Sequence, residues 1–567
     1  MKKLGIIAVA ICFAISGFAQ VGEWPIESFR LQGTSIIEDD FDNAIDPIDI
    51  GRVEGSRLYT NLSNLLNYDE QILANVSLHQ HLLGYSGSLL PMVPALKTAI
   101  LIESKREEDA NFVSIVKPPM SGWGFVSGDY TEWDNKDYEY WFQSKKNEQT
   151  RSDRVFLLNN LYELETMKLG ARISYLSGEK TRTTHYFYPE RPSFEEYYKE
   201  HTDAVGKTTD TTAEKGNYFT ERSYSDWDLL FSGAMPMAGL ELRGNLNFAI
   251  HSENTKPDDH YSWYSDDSPH TDKVVDIADI TRTVTGKEKR SDMGIGLSGR
   301  ARRYIEGGYF EAGAGLGMTF GDIDDSIRNS VGRRFENRPP GGWKEVEEYE
   351  EYSYLISSGD YSDLGFRVSG KGILPFGEEL LLGIGVKFEY WNYKEEVEKA
   401  PVEYYKYEVD NGDTIAGNED SLHTRRTTSE EEVKTRITTT SWNLPVGFEY
   451  KFGKKKDFRL RLGATAIFVG KTQKVTETKT KPEETVVHAE YKGDRRDFGT
   501  TYTESAYYGT KVEETPTYKQ STEYTYGLGW YPTENLQIDL LGFLEPTGDI
   551  WSPRFYRNLR LSVTFKF

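Results

Sequence analysis

Residues 240–251 read LELRGNLNFAIH. Leu240, Leu242, Gly244, Leu246, Phe248 and Ile250 fall on one parity, and Glu241, Arg243, Asn245 and Asn247 on the other. A period of two sustained over about a dozen residues is a β-strand with one apolar and one polar face. Strands of soluble sandwiches usually run about five or six residues. This one is long enough to cross a bilayer at a tilt.

The pattern recurs. Residues 310–320, 380–390 and 458–468 alternate in the same way, and each is preceded by a partner, at 293–301, 364–372 and 440–450; residues 227–234 precede the first strand. Further pairs lie at 152–159 with 167–177 and at 524–530 with 536–543, and a weaker pair at 81–90 with 95–104. Within pairs the connections are short (236–239, 302–308, 375–379, 453–457), whereas the polar stretches between pairs run to about 40–50 residues. A β-sandwich has turns every 8–12 residues and does not show this asymmetry. Short turns on one side and long loops on the other are the pattern of a barrel in an outer membrane, and the long loops are expected to be extracellular and the short turns periplasmic.

Composition agrees. Only 37% of the 567 residues are hydrophobic, yet 13% are aromatic, with 37 Tyr, 11 Trp and 51 Gly. The mean hydropathy of -0.61 is too low for helical spans. A disordered chain is poor in aromatics; a barrel needs only a thin apolar band between aromatic girdles. Residues 1–19 read as a signal peptide: Lys2 and Lys3, an apolar stretch over 4–15, then Gly17-Phe18-Ala19 as the cleavage site. That stretch is too short to span a bilayer, which takes roughly 20 residues. Cys12 leaves with it, so the mature chain has no cysteine for disulfide or thiolate chemistry. An exported chain with no later apolar run of spanning length crosses a membrane only as a closed barrel.

The chain ends on Leu559, Leu561, Val563, Phe565 and Phe567, alternating with Arg560, Ser562, Thr564 and Lys566. This resembles the terminal strand of bacterial outer-membrane β-barrel proteins, whose last residue is typically Phe and serves assembly. The resemblance implies an all-β, transmembrane, up-and-down antiparallel barrel in the outer membrane. It also implies outer-membrane lipid and the barrel-assembly machinery, through Phe567, as partners. Seven short turns give fourteen strands and the terminal strand a fifteenth. An even count is the rule, so either a strand is missing near the start, within residues 51–66, or one weak pair is misread, giving about 14–16. Residues 67–567 are taken as the barrel. Residues 20–66 form an acidic N-terminal segment, with Glu38, Asp39, Asp40, Asp42, Asp46 and Asp49, that is either a plug in the lumen or a periplasmic extension.

Charge is segregated by face. The polar parity carries Lys168, Arg172, Arg243, Arg300, Arg367, Lys371, Lys387, Arg459, Arg461 and Arg560, against Asp228, Glu241, Glu311, Glu389, Glu449 and Asp539. Between Trp391 and Arg436 the balance reverses, with twelve acids and seven bases. These cations either bias a passage toward anions or pair with neighbouring acids and with the acidic N-terminal segment. Glycines share the polar face (Gly294, Gly296, Gly313, Gly315, Gly317, Gly365, Gly383 and Gly385). They relieve strain where the wall bends, or else clear space for something packed against it. Residues 476–523, rich in Thr, Tyr, Glu and Lys, suggest strands continuing as hairpins above the membrane.

No spacing picks out a catalytic set, and no cofactor or metal site is expected. His79 and His81 share a face without a third ligand, and His251, His260 and His270 lie near Asp258, Asp259, Asp266 and Asp267 in what reads as a solvated loop. A net charge of -23 argues against nucleic acid as a partner. The leading expectation is a porin-like channel or transporter for small solutes, since a barrel of this width encloses a lumen. A second resemblance is to long-chain fatty-acid transport barrels, which have fourteen strands and an N-terminal hatch; their N-terminal motif is absent, so no residues carry over. The alternative is a surface-binding or structural barrel with a blocked lumen.

Overall fold

A computed structural model describes residues 36–61 except 39, 77–89, 95–117, 130–132, 135–186, 195–202, 207–268, 275–338, 345–410, 421–491, 496–504, 509–544 and 560–567. The expected signal peptide, residues 20–35 and His270 lie outside them.

A short helix α1 (Asp40–Ile45) and a 3-10 turn (Asp49–Arg52) come first. The strands follow: β1 (Arg57–Asn61), β2 (Ser77–Gly87), β3 (Leu96–Lys117), β4 (Tyr130–Glu132), β5 (Asn135–Glu163), β6 (Lys168–Tyr186), β7 (Glu195–Thr202), β8 (Lys207–Met237), β9 (Leu240–Ser268) and β10 (Val275–Ile305). Then come β11 (Gly308–Arg338), β12 (Glu345–Phe376), β13 (Leu380–Asp410), β14 (Ser421–Phe452), β15 (Phe458–Tyr491), β16 (Arg496–Glu504), β17 (Thr510–Thr533), β18 (Leu536–Leu544) and β19 (Arg560–Lys566).

Every pairing is antiparallel, and β1 closes the sheet by joining β2 on one side and β19 on the other. The short strands β4, β7 and β16 pair onto β5, β5 and β8, and β15, while β3–β5, β6–β8 and β15–β17 pair directly beside them. Setting those three aside leaves a closed barrel of sixteen strands. The sixteenth, β1, lies within residues 51–66, where the even count called for it. The wall therefore begins at Arg57, ten residues ahead of the boundary drawn at 67.

The outward face carries the apolar parity. Phe248, Ile250, Met293, Leu364, Val386 and Trp442 are exposed along it, as side chains in contact with lipid are. On β14, Trp442 packs against Phe388 at 4.7 Å between ring centroids, and at the short-turn end Phe452 stacks on Phe458 at 5.4 Å and Phe458 on Trp530 at 6.3 Å. Ten residues separate Trp442 from Phe452. At about 3.3 Å per residue and a tilt near 40°, that is roughly 25 Å, the height of an outer-membrane apolar band. The protein is an outer-membrane β-barrel.

β8 to β15 each run 29–34 residues. About ten cross the membrane. The rest, expected as long loops, continue the same ladders beyond the girdle, so that on β14 about twenty residues rise roughly 50 Å above Trp442. Both faces of those extensions meet water, so the apolar alternation that marks a membrane strand is absent, while Thr and Tyr still favour the extended backbone. The short turns are tighter than the sequence suggests. β8 and β9 are joined by Ala238 and Gly239 alone, both at positive φ (54° and 79°), the two-residue hairpin turn whose twist matches the strands.

Candidate functional site

Residues 36–53 lie inside the barrel, near its short-turn end. Ile36, Ile37, Phe41, Ala44, Ile48 and Ile50 are all at most 5% exposed. Most of them pack on an apolar patch of the inner wall that includes Leu82, Leu101, Val155, Leu157 and Leu161. Phe41 meets the ring of Tyr59, on β1, edge-on at 5.3 Å. Burying a side chain the size of Phe or Ile stabilises by roughly 1.5–3 kcal/mol. The patch had a signature in the sequence. Residues 99–102 (AILI) and 155–158 (VFLL) are unbroken apolar runs rather than alternations, so their inner face is apolar too and must be covered.

Close approach needs small wall residues. A Cβ on Gly170 would lie 2.4 Å from the Pro47 carbonyl oxygen, and one on Gly383 or Gly385 would lie 2.8 or 2.9 Å from Ile36. These glycines make room for the segment, as their place on the inner face allowed. Gly365 instead receives the ring of Trp391, whose Cε3 would stand 2.1 Å from an added Cβ.

The ends of the buried segment are closed by the wall. Asn159 Nδ2 donates to the Ala44 carbonyl (2.8 Å) and Arg172 to that of Ile45 (3.3 Å), satisfying carbonyls that the C-terminus of α1 leaves open. Lys97 Nζ donates to the carbonyls of Gly51 (2.8 Å) and Val53 (3.1 Å). Asp46 folds back on its own chain, accepting from the backbone N–H of Ile48 and of Asp49, both at 2.9 Å.

The acidic side chains then meet the basic wall. Arg243 donates to Asp46 and to Asp49, both at 2.6 Å. Arg300 does likewise at 2.8 and 2.9 Å. Glu38 accepts from Lys371 and lies 3.4 Å from Arg302, which also donates to Glu311 at 2.6 Å. Arg52, within the segment, reaches Asp49 (3.2 Å) and Glu241 (3.5 Å) and donates to the Tyr304 hydroxyl.

Most of the remaining charges of the polar parity have a partner within the wall. Arg172 pairs with Asp228 at 2.8 Å, Lys387 with Glu389 at 2.6 Å and Lys168 with Glu163 at 3.5 Å. Arg461 and Arg459 both face Glu449. Arg367 stands opposite Glu389 in register. Gln537 donates to Asp539 at 2.8 Å. Arg560 lies in β19, with its side chain outside the described residues. Arg302, 1% exposed, is the central wall residue that sequence reading placed in a turn. The apolar alternation fades after Ala301, but β10 runs on through Ile305.

Among the described residues, the histidines take up no common site. His251 sits in β9 rather than a loop, paired with Asp226 and 3.7 Å from Glu253. His260 lies 3.1 Å from Asp258 in the same strand, and His81 is exposed on β2. Among the described residues, no group of three or more His, Cys, Asp or Glu side chains is arranged to hold a metal ion.

No protein-family profile matches the chain, and neither does any curated protein. Among solved structures, it overlaps with the outer membrane transporter YddB from Escherichia coli at a TM-score of 0.29 and 8% identity, covering 91% of this chain and 81% of that one. The overlap with the pyoverdine outer membrane receptor FpvA from Pseudomonas aeruginosa has a TM-score of 0.23 and 10% identity, over 90% and 78% of the two chains. For the FrpB iron transporter from Neisseria meningitidis the values are 0.20 and 10%, over 92% and 83%. Overlaps this loose carry no substrate from those proteins to this one.

Proposed function

We propose that this protein is an outer-membrane transporter for small anionic solutes whose passage is shut by residues 36–53 and opens when they leave their seat. The observation that carries the reading is the ion-pair cluster of Arg243, Arg300, Arg302 and Lys371 on Glu38, Asp46 and Asp49. With the segment withdrawn, those four wall cations keep, among the described residues, only Glu241 and Glu311 beside them. The bared wall is then net positive inside a narrow passage, where low-dielectric surroundings focus the field and enrich anions. The chain's overall charge of -23 does not oppose this, because much of it lies beyond a Debye length of about 8 Å. We read the barrel as a conduit rather than an enzyme, since its buried charges are engaged in holding the segment.

A second reading, a surface-binding barrel with a permanently blocked lumen, is favoured by the strand extensions that rise far above the membrane. Planar-bilayer recording separates the two. The full-length protein is expected to conduct little, whereas a variant lacking residues 22–49, or E38Q/D46N/D49N, should give ohmic current. Its reversal potential in a salt gradient should show anion preference. A folded truncation that passes no current would favour the binder, and cation preference in every form would refute the anionic substrate class.

A further inference from the structure

On the outward face of β13, β14 and β15, Lys394, Arg436 and Lys474 stand directly opposite one another in register. All three are exposed. Like charges directly across a ladder destabilise it, so three in one row require compensation. Among the described residues no carboxylate pairs with any of them; Arg436 makes one hydrogen bond, to Asn392 Oδ1 at 2.8 Å. Their neighbour Lys434 is different. It bonds Glu396 and lies 2.9 Å from Glu432, and those contacts hold its ammonium pKa above the usual range.

What lies beneath the row identifies the compensating ligand. One register step toward the membrane are Asn392, Thr438 and Thr472, then Tyr390 and Thr440, then the aromatic girdle of Phe388, Trp442 and Phe468. Lys394 is four residues beyond Tyr390, and Arg436 is six beyond Trp442. At about 3.3 Å per residue and a tilt near 40°, the row stands roughly 10–15 Å above the girdle, on the water side of the apolar band. From the membrane outward the surface thus reads aromatic, hydroxyl, cation, which matches acyl chain, sugar and phosphate in a phosphorylated glycolipid. The three cations line a surface concavity of about 1590 Å³ that also carries Asp322, Asp360, Glu396 and Glu398. Glu396, two residues beyond Lys394 on the same face, is bonded by Lys434, while Asp322 and Asp360 lie on β11 and β12, so the carboxylates offer acceptors for sugar hydroxyls beside the basic row.

We propose that Lys394, Arg436 and Lys474 seat the phosphate groups of a phosphorylated glycolipid in the outer leaflet, held against the wall above the Trp442 girdle. The site is independent of whether the lumen conducts. The test uses the full-length protein in detergent micelles, with bisphosphorylated lipid A and its dephosphorylated form as probes. K394Q/R436Q/K474Q should bind the phosphorylated lipid about tenfold more weakly or worse, as expected for several basic contacts to an anionic headgroup. The dephosphorylated lipid should bind wild type and variant alike. K454Q/K455Q, at the opposite end of the barrel, should change nothing. Heat-modifiable mobility confirms that each variant is folded, which these exposed substitutions should not disturb. Affinity within twofold of wild type in the triple variant would overturn the proposal. So would displacement of the lipid by an equal concentration of inorganic phosphate, since that would mark a free-anion site instead.

Discussion

Single residues decide whether residues 36–53 stay in place. Arg243 is 4% exposed and donates to both Asp46 and Asp49 at 2.6 Å. Removing one partner of a buried ion pair costs about 3 kcal/mol or more, because it strands the other charge. Arg243→Ala should therefore loosen the segment, read as roughly a hundredfold faster hydrogen exchange at residues 40–50. Arg243→Lys should recover only part of this, because an ammonium lacks the planar fork that serves two carboxylates. Gly170→Ala, which presses on the Pro47 carbonyl, should act in the same direction. Unchanged exchange in all three would mean that neither the Arg243 ion pairs nor the close approach at Gly170 limits release of the segment. Much of this was legible at the residue scale, because alternation reports which face a side chain occupies. It does not report where a strand stops, and so Arg302 was taken for a turn residue.

At the scale of elements, the sequence reveals a strand only where one of its faces meets lipid. β1 escapes for a different reason, because its five residues RLYTN are too few to establish a period; strand-count parity pointed to it instead. The lipid condition does fail above the girdle, where the outward faces of β8 to β15 meet water and the extensions read as loops. β1 is completed by the end of the chain: Ser56 N–H donates to the Phe567 carbonyl at 2.9 Å, and Phe567 N–H to that of Ser56 at 3.1 Å. The Phe567 ring lies 6.5 Å from that of Tyr85. Deleting Phe567 removes both bonds at the one joint between chain ends, and folded yield in cells should fall several-fold as judged by heat-modifiable mobility. Equal yield would show that neither the joint nor recognition of the terminal aromatic limits assembly.

For the whole molecule, the class of architecture is legible in period and composition, while the state of the interior stays open between plug and extension. Period and composition report what touches lipid. They carry little about pairs such as Arg300–Asp46, whose partners lie 254 residues apart. The acidity of the N-terminal segment and the excess of wall cations were both visible, but only the closed sheet brings them together. Across the molecule, then, a negative chain encloses a basic wall, and the wall is neutral only while its own N-terminal residues occupy it.

The short β1 also bears on how the barrel comes to be closed. Arg57 pairs with Lys566, so the last gap joins the two ends of the chain, and contacts of such separation form slowly because loop-closure entropy precedes any reward. Until then β2 and β19 are free edges, open to mispairing. Only three residues separate Val53 from Arg57, so the strand that mends the gap brings the buried segment with it. Stowage and closure are thus expected to be one kinetic event. During refolding, protease protection of residues 40–50 should rise with the same rate constant as heat-modifiable mobility; protection that lags well behind would show that the segment enters an already finished barrel.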